Sequence, residues 1–372
     1  MVDTRGLQEN FELVANAGGD EVGLWFYSHL FVNYPETRAM FPMSMGRQRD
    51  RLVSALGRIV SKVDEVESLV PFLQQLGREH RKFEAIAAHY PAVGASLVAT
   101  LAHFSGERWS EELSADWQAA YRLVAQTMIE AADESAQYQP PWWDAQVLEN
   151  ERRYFDVAVL RLRPEHWLDY LPGQSISVET ALRPKQWRYF SPANAPRQDG
   201  TIDLHIQVVD GGPVSTALVN SAAPGDRLRL GAPIGTALTL TKAAGPDLLL
   251  VSGGTGLAPM KALIEQVANE GGRRRVHLFC GAQTALGLYD LPELRKLVDG
   301  NAWLTVTPVV SDDPLYEGHR GLVGEFAARA GDWSRHEVYI CGSKPMVRST
   351  ATRLREAGVA DTQIHFDTFD PR

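Results

Sequence analysis

A glycine-rich turn near residue 254 has the composition of a phosphate-binding loop. The run from Ser252 through Gly253, Gly254, Thr255 and Gly256 follows an apolar, strand-like stretch and opens a helix-like stretch. Glycines in such a turn let the backbone approach a ligand closely, and the first N–H groups of a helix favour a phosphate. Glycine-rich turns between strands and helices are also common as purely structural connections. On its own, the turn therefore leaves both interpretations open.

A histidine in the first third of the chain is the second candidate for chemistry. His80 follows Leu73 and Leu76 on one apolar face of a helix-like stretch, where an imidazole can reach into a pocket and bind a metal. A single histidine on an apolar face is more often a packed core residue than a ligand. Taken alone, the position of His80 favours the core interpretation.

The elements that carry these residues change character along the chain. Leu52, Leu56, Ile59 and Val63 share one predicted helix face, and the helix-forming composition continues to about residue 134. The segment 137–141, which ends in two prolines, then predicts a domain boundary.

Strand-like patterns dominate the remainder of the chain. From residue 144, short alternating runs separated by turn signals predict a small antiparallel β-barrel, with one strand starting at Phe155. From about residue 246, buried strands alternate with helices, which is typical of a doubly wound α/β domain. The sequence thus predicts a multidomain protein with an all-α domain at 1–136, an antiparallel β-barrel at 144–242 and an α/β nucleotide-binding domain at 246–372.

Composition excludes several classes of function. Asp and Glu (46) outnumber Lys and Arg (37), which argues against nucleic-acid binding because phosphates require clustered cations. No apolar stretch approaches the length of a membrane span, and the N-terminus lacks the pattern of a secretory signal. The two cysteines, Cys280 and Cys341, favour a cytoplasmic protein and are too few for the four thiolates of a plant-type iron–sulfur cluster. No obligate protein partner is evident.

Four motifs in a fixed order give the second half of the chain a family resemblance. They begin at Arg188, at Gly211, at Gly253 and at Cys341. Their order and composition over residues 144–372 resemble the ferredoxin reductase family of FAD enzymes. The resemblance implies bound FAD and a nicotinamide nucleotide, NADH or NADPH. The stretch after Gly281, residues 282–285, contains no arginine that could receive a 2′-phosphate, which favours NADH.

The resemblance also implies roles for individual residues. Arg188 and Ser191 would hold the FAD phosphate and flavin. The family's flavin-contacting tyrosine falls on Phe190, with Tyr189 just before it, so either ring could make that contact. Cys341 would lie beside the nicotinamide. The remaining implied contacts to the pyrophosphate and the nicotinamide nucleotide are Val214, Ser215, Thr216, Gly253, Gly254, Thr255 and Gly256.

The first part of the chain, residues 1–136, resembles a bacterial globin, and the whole chain resembles the flavohaemoglobins. This resemblance implies haem b with His80 as the iron ligand and Tyr90 supporting it. Tyr27 and Gln48 would face bound oxygen. The other implied contacts are Leu52 above the iron, Phe41 against the porphyrin and Phe369 over the flavin. The family's acidic partner of the histidine falls on Ala132, between Glu130 and Glu134. Glu79 and Asp367 also depart from the family's usual residues.

The function implied by the resemblance is nitric oxide dioxygenation. Electrons would pass from NAD(P)H to FAD to haem, and nitric oxide would be oxidised to nitrate with dioxygen. Three alternatives stay open at this point: a haem or peroxide reductase that uses NAD(P)H, a globin-based oxygen or nitric oxide sensor, and an electron-transfer component for a separate oxygenase.

Overall fold

The structure is a computed structural model that describes residues 2–240 and 245–369, except for the side chain of Phe369. The chain divides into two compact units, Met1–Trp142 and Trp143–Arg372.

The first unit is helical. Its α-helices in the described residues are α1 (Thr4–Gly18), α2 (Glu21–Asn33), α3 (Gly46–Ser61), α4 (Val66–His80), α5 (Tyr90–Ser105) and α6 (Glu111–Ala136). Side-chain oxygens of Asp3 and Ser110 accept backbone N–H groups at the starts of α1 and α6, which stabilises those ends. Helix α3 ends two residues before Val63, so the predicted face is shorter than its apolar pattern suggested.

The close contact between α4 and α6 depends on a glycine. A Cβ atom on Gly77 of α4 would lie 2.2 Å from the carbonyl oxygen of Met128 on α6. Because that distance is far inside van der Waals contact, only glycine allows the backbones of α4 and α6 to approach this closely. Gly77 therefore fixes the position of the helix that ends in His80.

The second unit begins with an antiparallel barrel. Its strands are β1 (Trp143–Tyr154), β2 (Val157–Pro164), β3 (Ile176–Thr180), β4 (Arg188–Phe190), β5 (Ile202–Gln207) and β6 (Arg227–Leu230), in the order β4-β3-β6-β1-β2-β5. A bridge between Pro192 and Leu204 joins the end of β4 to β5 and nearly closes the barrel. Helix α7 (Pro213–Ser221) packs on this barrel.

One predicted strand start was wrong. Tyr154 pairs with Val157, so Phe155 and Asp156 form a two-residue turn between β1 and β2 instead of the beginning of a strand. The alternation of apolar residues continues through the turn, which is why the sequence pattern did not reveal it.

The second part of this unit is a parallel sheet. Its strands are β7 (Leu248–Gly253), β8 (Val276–Ala282), β9 (Leu304–Val310), β10 (His319–Arg320), β11 (Glu337–Ser343) and β12 (Ile364–Phe369), in the order β10-β9-β8-β7-β11-β12. Helices α8 (Leu257–Asn269) and α9 (Leu291–Gly300) pack in one apolar cluster, and α10 (Val323–Arg329) and α11 (Lys344–Glu356) pack in another. The predicted fold class, with helices, a barrel and a doubly wound sheet, is confirmed.

Among the described residues, one bent pair of segments has the length and composition of a membrane span. In residues 2–240 and 245–369, no single helix has both the length and the apolar composition of a span. Val66–Phe83 and Ala87–Arg108 meet the test of length and composition only when taken together, across a bend of 99°.

Candidate functional site

A buried tyrosine and a glutamine meet in the helical unit. Tyr27 of α2 is only 5% exposed, and the Gln48 amide of α3 donates a hydrogen bond of 3.3 Å to its hydroxyl oxygen. Burial raises the pKa of Tyr27 to about 12, so the side chain is a neutral phenol at physiological pH. The phenol proton itself is free to be donated to a further acceptor.

Aromatic rings surround this pair. Phe41 contacts Tyr27 edge-on, with ring centroids 5.3 Å apart, and Phe31 lies within 6 Å of both rings. Leu52 packs in the same apolar cluster as Tyr27 and Phe41. The structure thus brings together four residues that the sequence predicted to share a pocket: Tyr27, Phe41, Gln48 and Leu52.

His80 is the last residue of α4 and has a defined proton position. Its Nδ1 atom lies 2.7 Å from the Leu76 carbonyl oxygen. Since a carbonyl can only accept, Nδ1 must carry the proton, which leaves a lone pair on Nε2. Burial lowers the pKa of His80 and so favours this neutral form. Nε2 forms no hydrogen bond within the described residues, and the donor set therefore fits a metal such as haem iron.

Tyr90 packs with Leu76 in the apolar cluster next to His80. Its carbonyl oxygen accepts a 2.6 Å hydrogen bond from the Tyr121 hydroxyl, and burial raises the pKa of its own hydroxyl. These contacts anchor the start of α5 to α6.

The acidic residues near Ala132 contact side chains other than that of His80. Glu134 lies 3.9 Å from Arg78, and Glu130 accepts a hydrogen bond from Gln126. In the part of the chain that the structure describes, the hydrogen bond of His80 goes to a backbone carbonyl and to no carboxylate.

Strand β4 orients the predicted flavin contacts. Arg188 and Phe190 are two residues apart and therefore share one face of the strand, whereas Tyr189 points to the other. Phe190 packs against the barrel core, and Tyr189 is 43% exposed. Just beyond the strand, the Ser191 hydroxyl is buried 3.3 Å from that of Ser175. The alternation of side chains along β4 therefore places the two candidate rings on opposite faces of the strand.

Helix α7 offers backbone donors to an anion. Its N-cap is Gly212, which supplies no side-chain cap. The hydroxyls of Ser215 and Thr216 both donate to the Gly212 carbonyl and so fix the first turn around buried Val214. N–H groups at the start of a helix lack partners within it and favour negative charge.

The glycine-rich turn lies where the parallel sheet reverses its order. Strand β7 sits between β8 and β11, so the ends of β7 and β11 flank the switch point at which such sheets bind ligands. Gly253 ends β7, and Gly254 has a φ of +55°, a conformation that glycine adopts easily. A Cβ on Gly256 would lie 2.2 Å from the carbonyl oxygen of Cys341. The structure therefore brings these two predicted motifs into contact.

Cys341 and Phe369 are the remaining two predicted cofactor contacts, at the ends of β11 and β12. Cys341 is fully buried, and burial raises the pKa of its thiol, so it packs as a neutral group. Phe369 pairs with Ser343 at the end of β12. Its side chain lies outside the described part of the chain.

The sequence analysis missed polar residues on the outer side of β5. Asp203, His205 and Gln207 alternate along this otherwise apolar strand. The side-chain Oε1 of Gln207 lies 3.5 Å from the point where a Cβ on Gly254 would sit, and the side-chain Nε2 of Gln207 donates a 2.8 Å hydrogen bond to the Asp156 carboxylate. Period-two polar residues in a buried strand were the available signal, because they indicate a polar face covered by another element.

Comparisons with known proteins agree with this geometry. Residues 24–128 match the globin family, residues 144–238 the oxidoreductase FAD-binding domain family and residues 250–352 the oxidoreductase NAD-binding domain family. The chain is 27% identical to a flavohaemoprotein of Bordetella parapertussis, over 99% of this chain and 98% of that protein. It is 24% identical to the flavohaemoprotein of Bacillus subtilis, over 95% and 93%. The chain belongs to the flavohaemoprotein family.

Solved structures show the same architecture. A Malassezia yamatoensis flavohaemoglobin with bound FAD and haem superposes with a TM-score of 0.80, at 19% identity, over 99% of this flavohaemoprotein and 98% of that chain. The reductase part also matches the ferredoxin reductase of a carbazole 1,9a-dioxygenase, with a TM-score of 0.57 and 28% identity over 63% and 71%. The predicted family and the predicted FAD- and NAD-binding domains are confirmed.

Proposed function

We propose that this flavohaemoprotein is a nitric oxide dioxygenase, which uses NAD(P)H and dioxygen to oxidise nitric oxide to nitrate. The observation that carries the proposal is the hydrogen-bonded pair of Tyr27 and Gln48 among aromatic rings. A phenol that is only 5% exposed, held by an amide, can stabilise the negative charge that develops on oxygen, because little water competes for its hydrogen bond. A relative in fold, the FAD/NAD-binding domain of a Vibrio cholerae nitric oxide dioxygenase, has a TM-score of 0.55 at 22% identity.

The helical unit would hold haem through its own side chains. Bound haem would supply an iron that binds oxygen and exchanges single electrons. His80 would bind this iron through Nε2, since Nδ1 is held by the Leu76 carbonyl. Phe41 and Leu52 would pack against the porphyrin and exclude water. Tyr27 would donate its phenol proton in a hydrogen bond to oxygen, and Gln48 would orient that phenol.

The second unit would hold FAD and the nicotinamide nucleotide. Bound FAD would supply the conversion from two-electron to one-electron chemistry. Arg188 and Ser191 would bind its phosphate and flavin, and the first turn of α7, with Val214, Ser215 and Thr216, its pyrophosphate. Phe190 is the better candidate than Tyr189 for the ring against the flavin, because it shares the face of Arg188.

The nucleotide would occupy the glycine-rich turn, with Cys341 packed beside the nicotinamide. NADH is the expected coenzyme, because the Asp313 carboxylate accepts a 3.2 Å hydrogen bond from the Ala285 N–H in the loop after β8. In doubly wound folds this strand end lies near the adenosine ribose, where a carboxylate repels a 2′-phosphate. Comparison of kcat/KM for NADH and NADPH tests this expectation.

Nitric oxide consumption under controlled oxygen tests the main proposal. The protein loaded with haem and FAD should consume nitric oxide only when NADH and oxygen are both present, and should release nitrate. Tyr27→Phe should slow this reaction at least tenfold without changing haem reduction, whereas His80→Ala should abolish it. Tyr138→Phe removes an exposed hydroxyl and serves as the control. Oxygen-independent consumption, or equal rates in Tyr27→Phe and the control, would refute the proposal.

An electron-transfer component is the second candidate. The chain is 31% identical, over 58% of its length, to the reductase component of a Pseudomonas putida naphthalene 1,2-dioxygenase system. Anaerobic addition of NADH distinguishes the candidates. Prompt conversion of ferric to ferrous haem supports internal electron transfer, whereas flavin bleaching with unchanged haem supports an external acceptor.

A further inference from the structure

A layer of buried and half-buried polar residues lies between the barrel and the parallel-sheet half of the second unit. It consists of Arg153 from β1, His205 from β5, Lys261 from α8, and Tyr289 and Asp290 from the loop before α9. We call these five residues the interface layer. They belong to separate elements of the barrel and the sheet, so their contacts fix how these two halves meet.

Two pairs of side chains in the interface layer join the barrel to the sheet half. His205 Nδ1 and the Tyr289 hydroxyl lie 2.8 Å apart. Asp290 is 1% exposed and lies 3.5 Å from a nitrogen of Arg153 in the barrel, whereas its ion pair with Lys261 joins two residues of the sheet half. Burial lowers the pKa of His205 and raises that of Tyr289, so this pair is neutral and joined by a hydrogen bond.

The interface layer is not built for maximal stability. Asp290 Oδ1 and Arg153 Nε are buried and form no hydrogen bond within the described residues. Buried ionic groups that are only partly satisfied are commonly less stabilising than apolar packing of similar size. Their directional contacts do, however, restrict the halves to one orientation, whereas an apolar contact can slide.

The interface layer is connected to the nucleotide loop on both sides. Lys261 is on the second turn of α8, the helix that the glycine-rich turn opens. His205 is two residues before Gln207, which lies beside Gly254. One turn further along α8, Glu265 accepts a 3.0 Å hydrogen bond from Arg197 of the barrel. The same strand and helix thus carry the interface and the nucleotide loop.

We propose that the interface layer is a positioning device that holds the nucleotide-binding half in the orientation needed for hydride transfer to flavin. With both cofactors bound, this transfer would move two electrons and one proton from the reduced nicotinamide to flavin, solvent would supply the second proton, and oxidised nicotinamide would leave. Such transfer depends steeply on the distance and angle between the two rings, because the reacting atoms must be in near contact. The inference rests on the proposed reductase function of this unit.

Stopped-flow reduction of bound flavin tests the proposal without involving nitric oxide. Tyr289→Phe removes the bond to His205 with little change of volume, and Asp290→Asn weakens both ion pairs. With NADH, or NADPH if the parent uses it, both variants should lower the limiting rate per bound flavin about tenfold. The apparent Kd for the nucleotide should stay within twofold. Tyr339→Phe is the matched control, since Tyr339 is also a buried tyrosine beside a histidine, but both residues lie in the sheet half.

Amide hydrogen exchange of the protein without cofactors gives a second measurement. In both interface variants, exchange in α8 and β5 should rise several-fold, while α11 stays as in the parent. Unchanged limiting rates in both variants would overturn the proposal even if their Tm falls, because that pattern indicates a purely structural role. A raised Kd with an unchanged limiting rate would also overturn it. Normal flavin reduction combined with no nitric oxide consumption would contradict the dioxygenase proposal alone.

Discussion

Replacing Gly256 by alanine should selectively weaken nucleotide binding. The new Cβ would lie 2.2 Å from the Cys341 carbonyl oxygen, whereas ordinary contact begins near 3.4 Å, so the loop and β11 must separate by about 1.2 Å. Such a shift would break one phosphate hydrogen bond at the start of α8. A charge-assisted hydrogen bond contributes ~1.5–3 kcal/mol. At about 1.4 kcal/mol per tenfold change, the Kd for NADH should rise roughly 10- to 100-fold.

Titration of the protein loaded with FAD and haem measures this effect. NADH binding is followed by the flavin absorption of each variant, and FAD content and the haem spectrum are recorded alongside. Gly300→Ala is the control, because a Cβ there meets nothing within 4 Å. A Kd within twofold of the parent in Gly256→Ala would show that the glycine is not needed for close approach to the nucleotide. Parallel loss of FAD would show general unfolding instead.

Three further predictions concern the helical unit. Gly77→Ala should lower the Tm and the haem content together, since α4 must move away from the Met128 carbonyl, whereas Gly46→Ala, in open space, should change neither. His80→Gly should lose the haem spectrum and regain it with millimolar imidazole; persistence of the parent spectrum would exclude His80 as the ligand. Because the pKa of Tyr27 is raised to about 12, the unfolded chain loses this proton first as pH rises above 10. The free energy of unfolding should therefore fall by an extra ~2–3 kcal/mol between pH 10 and 12 in the parent relative to Tyr27→Phe, and equal slopes would contradict the shifted pKa.

Local patterns predicted the features that depend on neighbouring residues. The apolar spacing before His80 predicted its helix, and the glycine-rich turn was predicted between a strand and a helix, where β7 and α8 lie. Both predictions succeed because helix periodicity and glycine conformation are properties of short segments.

Features that depend on pairing could not be predicted in this way. The turn at Phe155 and Asp156 becomes visible only when Tyr154 is seen to pair with Val157. The contact of His205 with Tyr289 joins residues 84 positions apart, and nothing in either local pattern indicates the other. The family motif likewise did not decide whether Tyr189 or Phe190 contacts the flavin, because the two rings are assigned to opposite faces only once the segment is known to be a strand.

The contacts of Arg81 bear on where the helical unit can be cut from the gene. Arg81 follows His80 and donates hydrogen bonds to the Ser135 hydroxyl, at 2.9 Å, and to the Gln139 carbonyl, at 2.6 Å. A recombinant fragment that stops at residue 136, where the helical pattern ends, would keep the first acceptor and lose the second. The guanidinium next to the histidine would then lack a partner that the intact chain provides. A fragment extended to Trp142 retains both acceptors, and of these two fragments it is the one from which a haem-binding product should be recovered.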